Sequence, residues 1–191
     1  MRHFAQAGAV LAAGLIVAFT ATATSVPRLS FEQLTDSSEL VVTGQIGHSW
    51  AAWDNSHHFI WTHYELAVSS MEKGAATSSV TFSEPGGVVG GIGQTIAGTV
   101  QYAAGERVVV FLQRMPNGYL RTTGWSQGKF TVDSSGHVHG GASLAGLDLV
   151  EAGSAPAARA VPVEGITAVE LSARVIARVR SQQGRLQGGT K

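Results

Sequence analysis

Apolar and polar residues alternate with a period of two through much of the chain between positions 40 and 140. Leu40, Val42 and Ile46 are apolar while Thr43 and Gln45 are polar, the signature of a half-buried strand, which is expected to run on towards Trp50. Asp54-Asn55-Ser56 is turn chemistry, because side-chain oxygens at these positions hydrogen-bond the local backbone. A second alternating run follows as Ile60, Thr62, Tyr64, Leu66 and Val68, so the two runs predict a long hairpin. Lys73-Gly74 closes it, and Val80 and Phe82 open a third strand that ends at Pro85-Gly86-Gly87. Val108 to Leu112 is apolar without interruption, which predicts a strand covered on both faces at the centre of the fold. Asn117-Gly118 tolerates positive φ at both residues and predicts a tight return into Tyr119 to Thr123. Gly128 to Val132 and a weaker segment around Val138 complete the sheet. Six or seven strands with no ten-residue helical pattern between them predict a mainly β fold, a small antiparallel barrel of OB-like type or a sandwich.

The period changes only near the ends. Ser30-Phe31-Glu32-Gln33-Leu34 predicts a short helical turn, with Ser30 as N-cap and Gln33 where a capping box needs it. Thr167 and Glu170 form a second capping box, and Leu171, Val175, Ile176 and Val179 recur at helical spacing, predicting a C-terminal helix from Ala168 to about Gln182. Arg2 and His3, the apolar run Ala9 to Phe19, and the small-x-small sequence Ala21-Thr22-Ala23 read as a cleavable secretory signal. The expected organisation is therefore a signal over 1–23, a β-barrel domain over 24–152, a linker over 153–166, the helix over 167–183 and a disordered tail over 184–191. Cleavage near Ala23 implies a secreted or periplasmic protein with no membrane span in the mature part.

Composition narrows the chemistry. Cysteine is absent, which removes disulfides, a thiolate nucleophile and Cys-ligated zinc. Lys and Arg balance Asp and Glu at 13 each and are scattered, so no concentrated positive surface supports a nucleic-acid partner. Charged residues are only 14% of the chain against 24 glycines, which favours short strands and tight turns. No cofactor motif is present.

Several landmarks together resemble a family of uncharacterised secreted bacterial proteins: Phe31 to Val42, Trp61-Thr62-x-Tyr64 ending in Lys73-Gly74, the segment Gly86 to Gly93, Gly105-Glu106 before Phe111-Leu112, and Gly124-Trp125-x-x-Gly128-Lys129-Phe130. The similarity spans roughly residues 30 to 133 and implies no particular activity. More distantly, the order of these landmarks is similar to the netrin-like and metalloproteinase-inhibitor domains, which implies an OB-type barrel. Those inhibitors act through an N-terminal cysteine that chelates the enzyme's zinc, and this chain has none.

Four groups of residues are candidates for function. The glycine-rich stretch Gly86 to Gly98 lacks the Gly-Lys-Ser/Thr ending of a P-loop, so Gly90, Gly91 and Gly93 are expected to serve positive φ and close backbone approach at a barrel end. His57, His63, His137 and His139 offer a histidine-based metal site or a metal-dependent hydrolase if the fold brings them together. No Gly-x-Ser-x-Gly elbow exists, and Glu65, Glu84 and Glu106 read as solvated charges, so a hydrolytic site is unsupported. The aromatic group is the fourth: Trp50, Trp53 and Trp61 crowd the hairpin tip, and with Ile60, Thr62 and Tyr64 facing the core, Trp61, His63 and Glu65 point outward. Flat aromatics beside polar groups hold sugar rings or anchor proteins. The expectation is a non-enzymatic binding module for an unknown protein or glycan, with a protease-inhibitor-like module as a further reading by fold analogy.

Overall fold

The computed structural model describes residues 24–140, 147–151 and 165–188. Its elements are β1 (Thr24–Arg28), α1 (Phe31–Ser37), β2 (Leu40–Trp53), β3 (Ile60–Lys73), β4 (Ser79–Pro85), β5 (Gly87–Val89), β6 (Ile92–Gln94), β7 (Arg107–Arg114), β8 (Leu120–Thr122), a 3-10 turn at Trp125–Gly128, β9 (Lys129–Val132), β10 (Val138–Gly140), β11 (Leu147–Glu151) and α2 (Ala168–Gly188). Seven strands form one antiparallel sheet along the path β10-β9-β7-β2-β3-β4, with β8 paired to β7. The fold is thus mainly β with a C-terminal helix, as the alternation predicts.

The uninterrupted run in β7 is explained by what lies on each side. Val108, Val110 and Leu112 enter a core with Val42, Ile46, Leu66 and Phe82. Val109 and Phe111 face the other way, into a second core with Val41, Leu34 of α1, and Leu171 and Val175 of α2. All five β7 residues are fully buried. Burial of this kind stabilises by roughly 25 cal/mol per Å² of apolar surface removed from water, so β7 carries both cores.

β8 lies along β4 without a backbone ladder between them. The seam is held by Glu84, whose Oε1 accepts the Thr122 N–H at 2.8 Å while Oε2 accepts from Arg121 Nε at 3.2 Å. Glu84 is fully buried, a correction to the solvated charge expected from its place near a turn. Glu106 is corrected likewise: its carboxylate is 2.7 Å from Lys129 Nζ and accepts from the Thr131 hydroxyl at 2.8 Å. Burial raises the Glu84 carboxyl pKa above its ordinary value, against the opposing pull of Thr122 and Arg121.

Both capping boxes form. Ser30 accepts from the Gln33 N–H at 3.2 Å and Gln33 accepts from the Ser30 N–H at 2.8 Å, and Thr167 and Glu170 reciprocate in the same way. The C-terminal helix continues to Gly188, so residues 184–188, expected in a disordered tail, are helical. Gly184 costs about 1 kcal/mol relative to alanine, and its neighbours Gln182, Gln183 and Arg185 are good helix formers. One strand pair departs from the antiparallel expectation, since β1 and β11 run parallel. In the glycine segment, β5 and β6 form a small hairpin turned by Gly90 and Gly91 at φ 59° and 82°. The close approach falls at Gly87 and not at this turn: a Cβ on Gly87 would sit 2.6 Å from Thr62 Oγ1, whereas Gly90 and Gly91 face open space. The expected signal and most of the expected linker lie outside the described residues. The linker's last residues are tied to β10, where Val138 N–H donates to Ile166 O at 2.8 Å. Among the described residues no helix is long and apolar enough to cross a membrane.

Glu84→Ala leaves Arg121 and the Thr122 N–H without their buried acceptor and is expected to lower the unfolding free energy by about 3 kcal/mol. Leu171→Ala, at the contact of α2 with the second core, is expected to lose about 3 kcal/mol. Urea titrations of both variants check these values; an unchanged midpoint for Glu84→Ala would show that the seam is held without its carboxylate.

Candidate functional site

A β-bulge decides which side chains of the long hairpin share a face. Ile46 pairs with Leu66, but Ser49 pairs with Tyr64, so three steps along β2 answer two along β3. The extra residue inverts the inward-outward alternation of β2 beyond it. Up to Ile46 the even positions face the core; past the bulge the odd positions Ser49, Ala51 and Trp53 pair with core-side Tyr64, Thr62 and Ile60. Trp50 is thereby turned outward, directly opposite His63.

The outcome is a cluster of rings on the outer face of β2 and β3. The Trp50 and His63 rings stack with centroids 5.2 Å apart, and His48 stacks on Trp50 at 5.6 Å. Tyr119, from the turn between β7 and β8, sets its ring edge-on to Trp61 at 5.2 Å and to His63 at 5.4 Å. His63 Nδ1 and the Ser83 hydroxyl of β4 share a hydrogen bond of 2.7 Å that fixes the imidazole. Trp50 remains 41% exposed, among the most open of the large hydrophobic side chains. Glu65 is exposed two positions along β3 from His63, on the same outward alternation. The helix α2 packs on the second core, leaving the rings to be partly covered by Tyr119.

Of the expected surface, Trp50, Trp61, His63 and Glu65 therefore share a face, and Trp53 does not. Trp53 has the opposite alternation, pairs with Ile60 and stacks on His57 at 6.4 Å. The four histidines expected as metal ligands are divided among separate contacts. His57 lies against Trp53, and His63 lies between Trp50 and Tyr119. His137 and His139 belong to a turn built on Asp133: His139 Nε2 is 2.9 Å from its carboxylate, and His137 Nδ1 shares a 2.8 Å hydrogen bond with Ser135. Among the described residues no group of three or more His, Cys, Asp or Glu side chains is placed to hold a metal ion. The condition on which a site of these four histidines rested, that the fold bring them together, is therefore not met.

The His63–Ser83 contact does not make a nucleophile. Ser83 is buried beneath the cluster, and the imidazole nitrogen that faces it is Nδ1. A serine activated for attack needs to be reachable and to have its base oriented by a third group. What the cluster offers is a wide, semi-rigid aromatic face with a titratable ring in it. Partial burial lowers the His63 pKa below 6.5, so the neutral imidazole prevails at neutral pH.

His48, Ser83 and Tyr119 were not singled out by sequence pattern as members of the face. Tyr119 was visible as the residue after Asn117-Gly118, but its partners lie more than fifty residues away. His48 falls within the bulge, where alternation gives no guide.

Because the folded-state pKa of His63 is depressed, the unfolded chain binds more protons between that value and 6.5. This contribution to stability is complete above pH 6.5 and is lost as the pH falls through the window. An NMR titration of the His63 ring is expected to show a midpoint below 6.5, and a midpoint at or above it would refute the burial described for this side chain. No family model matches the chain, and no curated protein and no solved structure matches it.

Proposed function

We propose that the protein is a non-enzymatic binding module, exported to the cell envelope or medium, that engages a protein or glycan partner through the outer face of its long hairpin. The observation that carries this reading is the position of Trp50. A bulge turns its indole outward, His48 and His63 brace it, and it remains 41% exposed. Aromatic rings held rigid before a partner arrives contribute large contact area at low entropic cost, which is why tryptophan and tyrosine dominate binding hot spots. Trp61 and Tyr119 extend the same surface, and Glu65 gives it a polar margin.

A protease-inhibitor reading draws on one feature, the loop between β2 and β3. Asp54 Oδ1 accepts the N–H groups of His58 and Phe59 at 2.9 and 3.2 Å, and this brace presents Phe59 at 51% exposure. A rigid loop with an apolar tip is a shape that enters a cleft. Loss of inhibition in Phe59→Ala, in an assay against a panel of secreted proteases, distinguishes it from the face centred on Trp50.

Binding is tested on an oligosaccharide array and against fractionated envelope proteins, with Trp50→Ala and Trp61→Ala beside the wild type. Each variant is expected to weaken a genuine partner by about thirtyfold, the scale of a hot-spot tryptophan at ~2 kcal/mol. Trp53→Ala, with the opposite alternation, is expected to retain it. Equal binding by Trp50→Ala would overturn the proposal.

A further inference from the structure

The two neighbours of β2 cover unequal lengths of it. β7 pairs with Leu40 to Gln45, and the last bonds on that side belong to Ile46, whose N–H donates to Glu106 O at 2.9 Å and whose carbonyl accepts the Gly105 N–H at 2.7 Å. β3 continues alongside as far as Trp53. From Ser49 to Trp53, β2 is therefore an edge strand, and among the described residues no strand pairs with its free side. Ile60 shows which backbone groups point there. Its carbonyl accepts the N–H of Gly86, the residue after β4, at 2.7 Å, so Ile60 directs its backbone groups towards β4 and away from β2. Antiparallel pairs alternate between bonded and non-bonded, so Trp53, opposite Ile60, directs its N–H and C=O to the free side, and so do Ala51 and Ser49. Asp54 agrees with this parity, since its N–H turns inward and donates to Phe59 O at 2.8 Å.

A row of unpaired backbone groups is a template for another strand, and folded proteins blunt such edges with charge or proline. No Pro, Lys, Arg, Asp or Glu occurs from His48 to Trp53. The order of residues along the edge suits a second copy of itself. With a two-fold axis at Ala51, the middle of the three free residues, Ala51 bonds to Ala51 of the second copy and Ser49 to its Trp53, each reciprocally. On the outer face that register sets Trp50 opposite Ala52, and on the inner face it sets Trp53 opposite Ser49, so each indole meets a small residue. At both ends it sets His48 opposite Asp54, an imidazole against a carboxylate. An axis at Trp50 would instead press the two indoles together and leave Asp54 unanswered. A further observation comes from the inner face. Gly86 bonds on the β4 side of β3, and a Cβ on Gly87 would lie 3.1 Å from that of Ala51, so β5 crosses the long hairpin towards the free edge. The β5–β6 ribbon carries Val88 and Ile92 at 67% and 57% exposure, apolar surface beside the place where a second copy arrives.

We propose that the chain self-associates as a two-fold dimer by antiparallel pairing of the distal halves of β2, which joins the two sheets and sets both ring clusters on one continuous face. The inference does not rest on the aromatic face having an external partner. Sedimentation equilibrium of the full chain is expected to show a monomer–dimer equilibrium with a Kd between about 1 μM and 1 mM. Amide hydrogen exchange at Ser49, Ala51 and Trp53 is expected to slow as concentration rises, while Trp50 and Ala52, directed towards β3, keep their rates. Ala51→Pro removes the N–H on the axis, and because that N–H points away from β3 the monomer keeps its ladder. It is expected to keep the thermal midpoint of the dilute wild type and to remain monomeric. His48→Glu sets like charges opposite each other at both ends and is expected to weaken the dimer about fivefold. A wild type that stays monomeric up to about 1 mM, or whose edge is taken only by a different extended protein, overturns the proposal. So does a dimer that persists undiminished in folded Ala51→Pro or in His48→Glu, or one whose formation leaves exchange at Ser49, Ala51 and Trp53 unchanged.

Discussion

A buried carboxylate holds β8 against β4, and much of the molecule depends on it. Glu84 replaces backbone ladder bonds at this seam with a bond to the Thr122 N–H and an ion pair to Arg121. With β8 so placed, the Thr122 hydroxyl meets Tyr102 at 2.6 Å and the Arg121 guanidinium lies 3.8 Å above the Trp125 ring centroid. The same placement carries Tyr119 to the outer face, where it closes on Trp61 and His63. A carboxylate so deeply buried is opposed by desolvation, which raises its pKa, and the pairing of both its oxygens offsets part of that opposition. The interior side of Glu84 and the exterior side of Tyr119 are in this way two results of one contact.

Around that seam the architecture is two cores sharing one wall. Strands β2 and β7 separate the first core from the helix-covered second core, and each core draws on residues that alternate along the same strands. The helix α2 is fastened at both levels. Leu171 and Val175 enter the second core, Ser172 donates to Glu72 Oε1 at 2.7 Å, and Arg178 Nε donates to Asp36 at 2.8 Å. Asp36 is held below the ordinary carboxylate range chiefly by its bond to Arg178. The apolar packing supplies the attachment, and the half-exposed ion pair sets its orientation.

Local pattern made a large part of this legible. Strand β7, the hairpin of β2 and β3, the Asn117-Gly118 turn and both capping boxes all follow from signals confined to a few neighbouring residues. What escaped the sequence depends on counting or on distance. Alternation in β2 placed Leu40, Val42 and Ile46 correctly but carried no sign of the bulge that turns Trp50, and not Trp53, to the outer face. Glu84 looks like any polar residue ahead of a Pro-Gly turn; its burial depends on a strand nearly forty residues later. The histidines were countable but not locatable, because His57 and His63 belong to one end of the hairpin and His137 and His139 to a turn on Asp133. Helix α2 outran its forecast because a lone glycine is a weak stop when good helix formers surround it.

The bulge near Gly47 means that the outer surface is specified by residue number as much as by residue type. Substituting His48 changes one ring in the display. Deleting one residue there would exchange the two sides of the distal hairpin, sending Trp50 inward and Trp53 outward, with every side chain retained. Homologous chains that share all the aromatic residues but differ in length at this point would therefore present unlike surfaces, and a comparison based on residue identity alone would mistake them for equivalents.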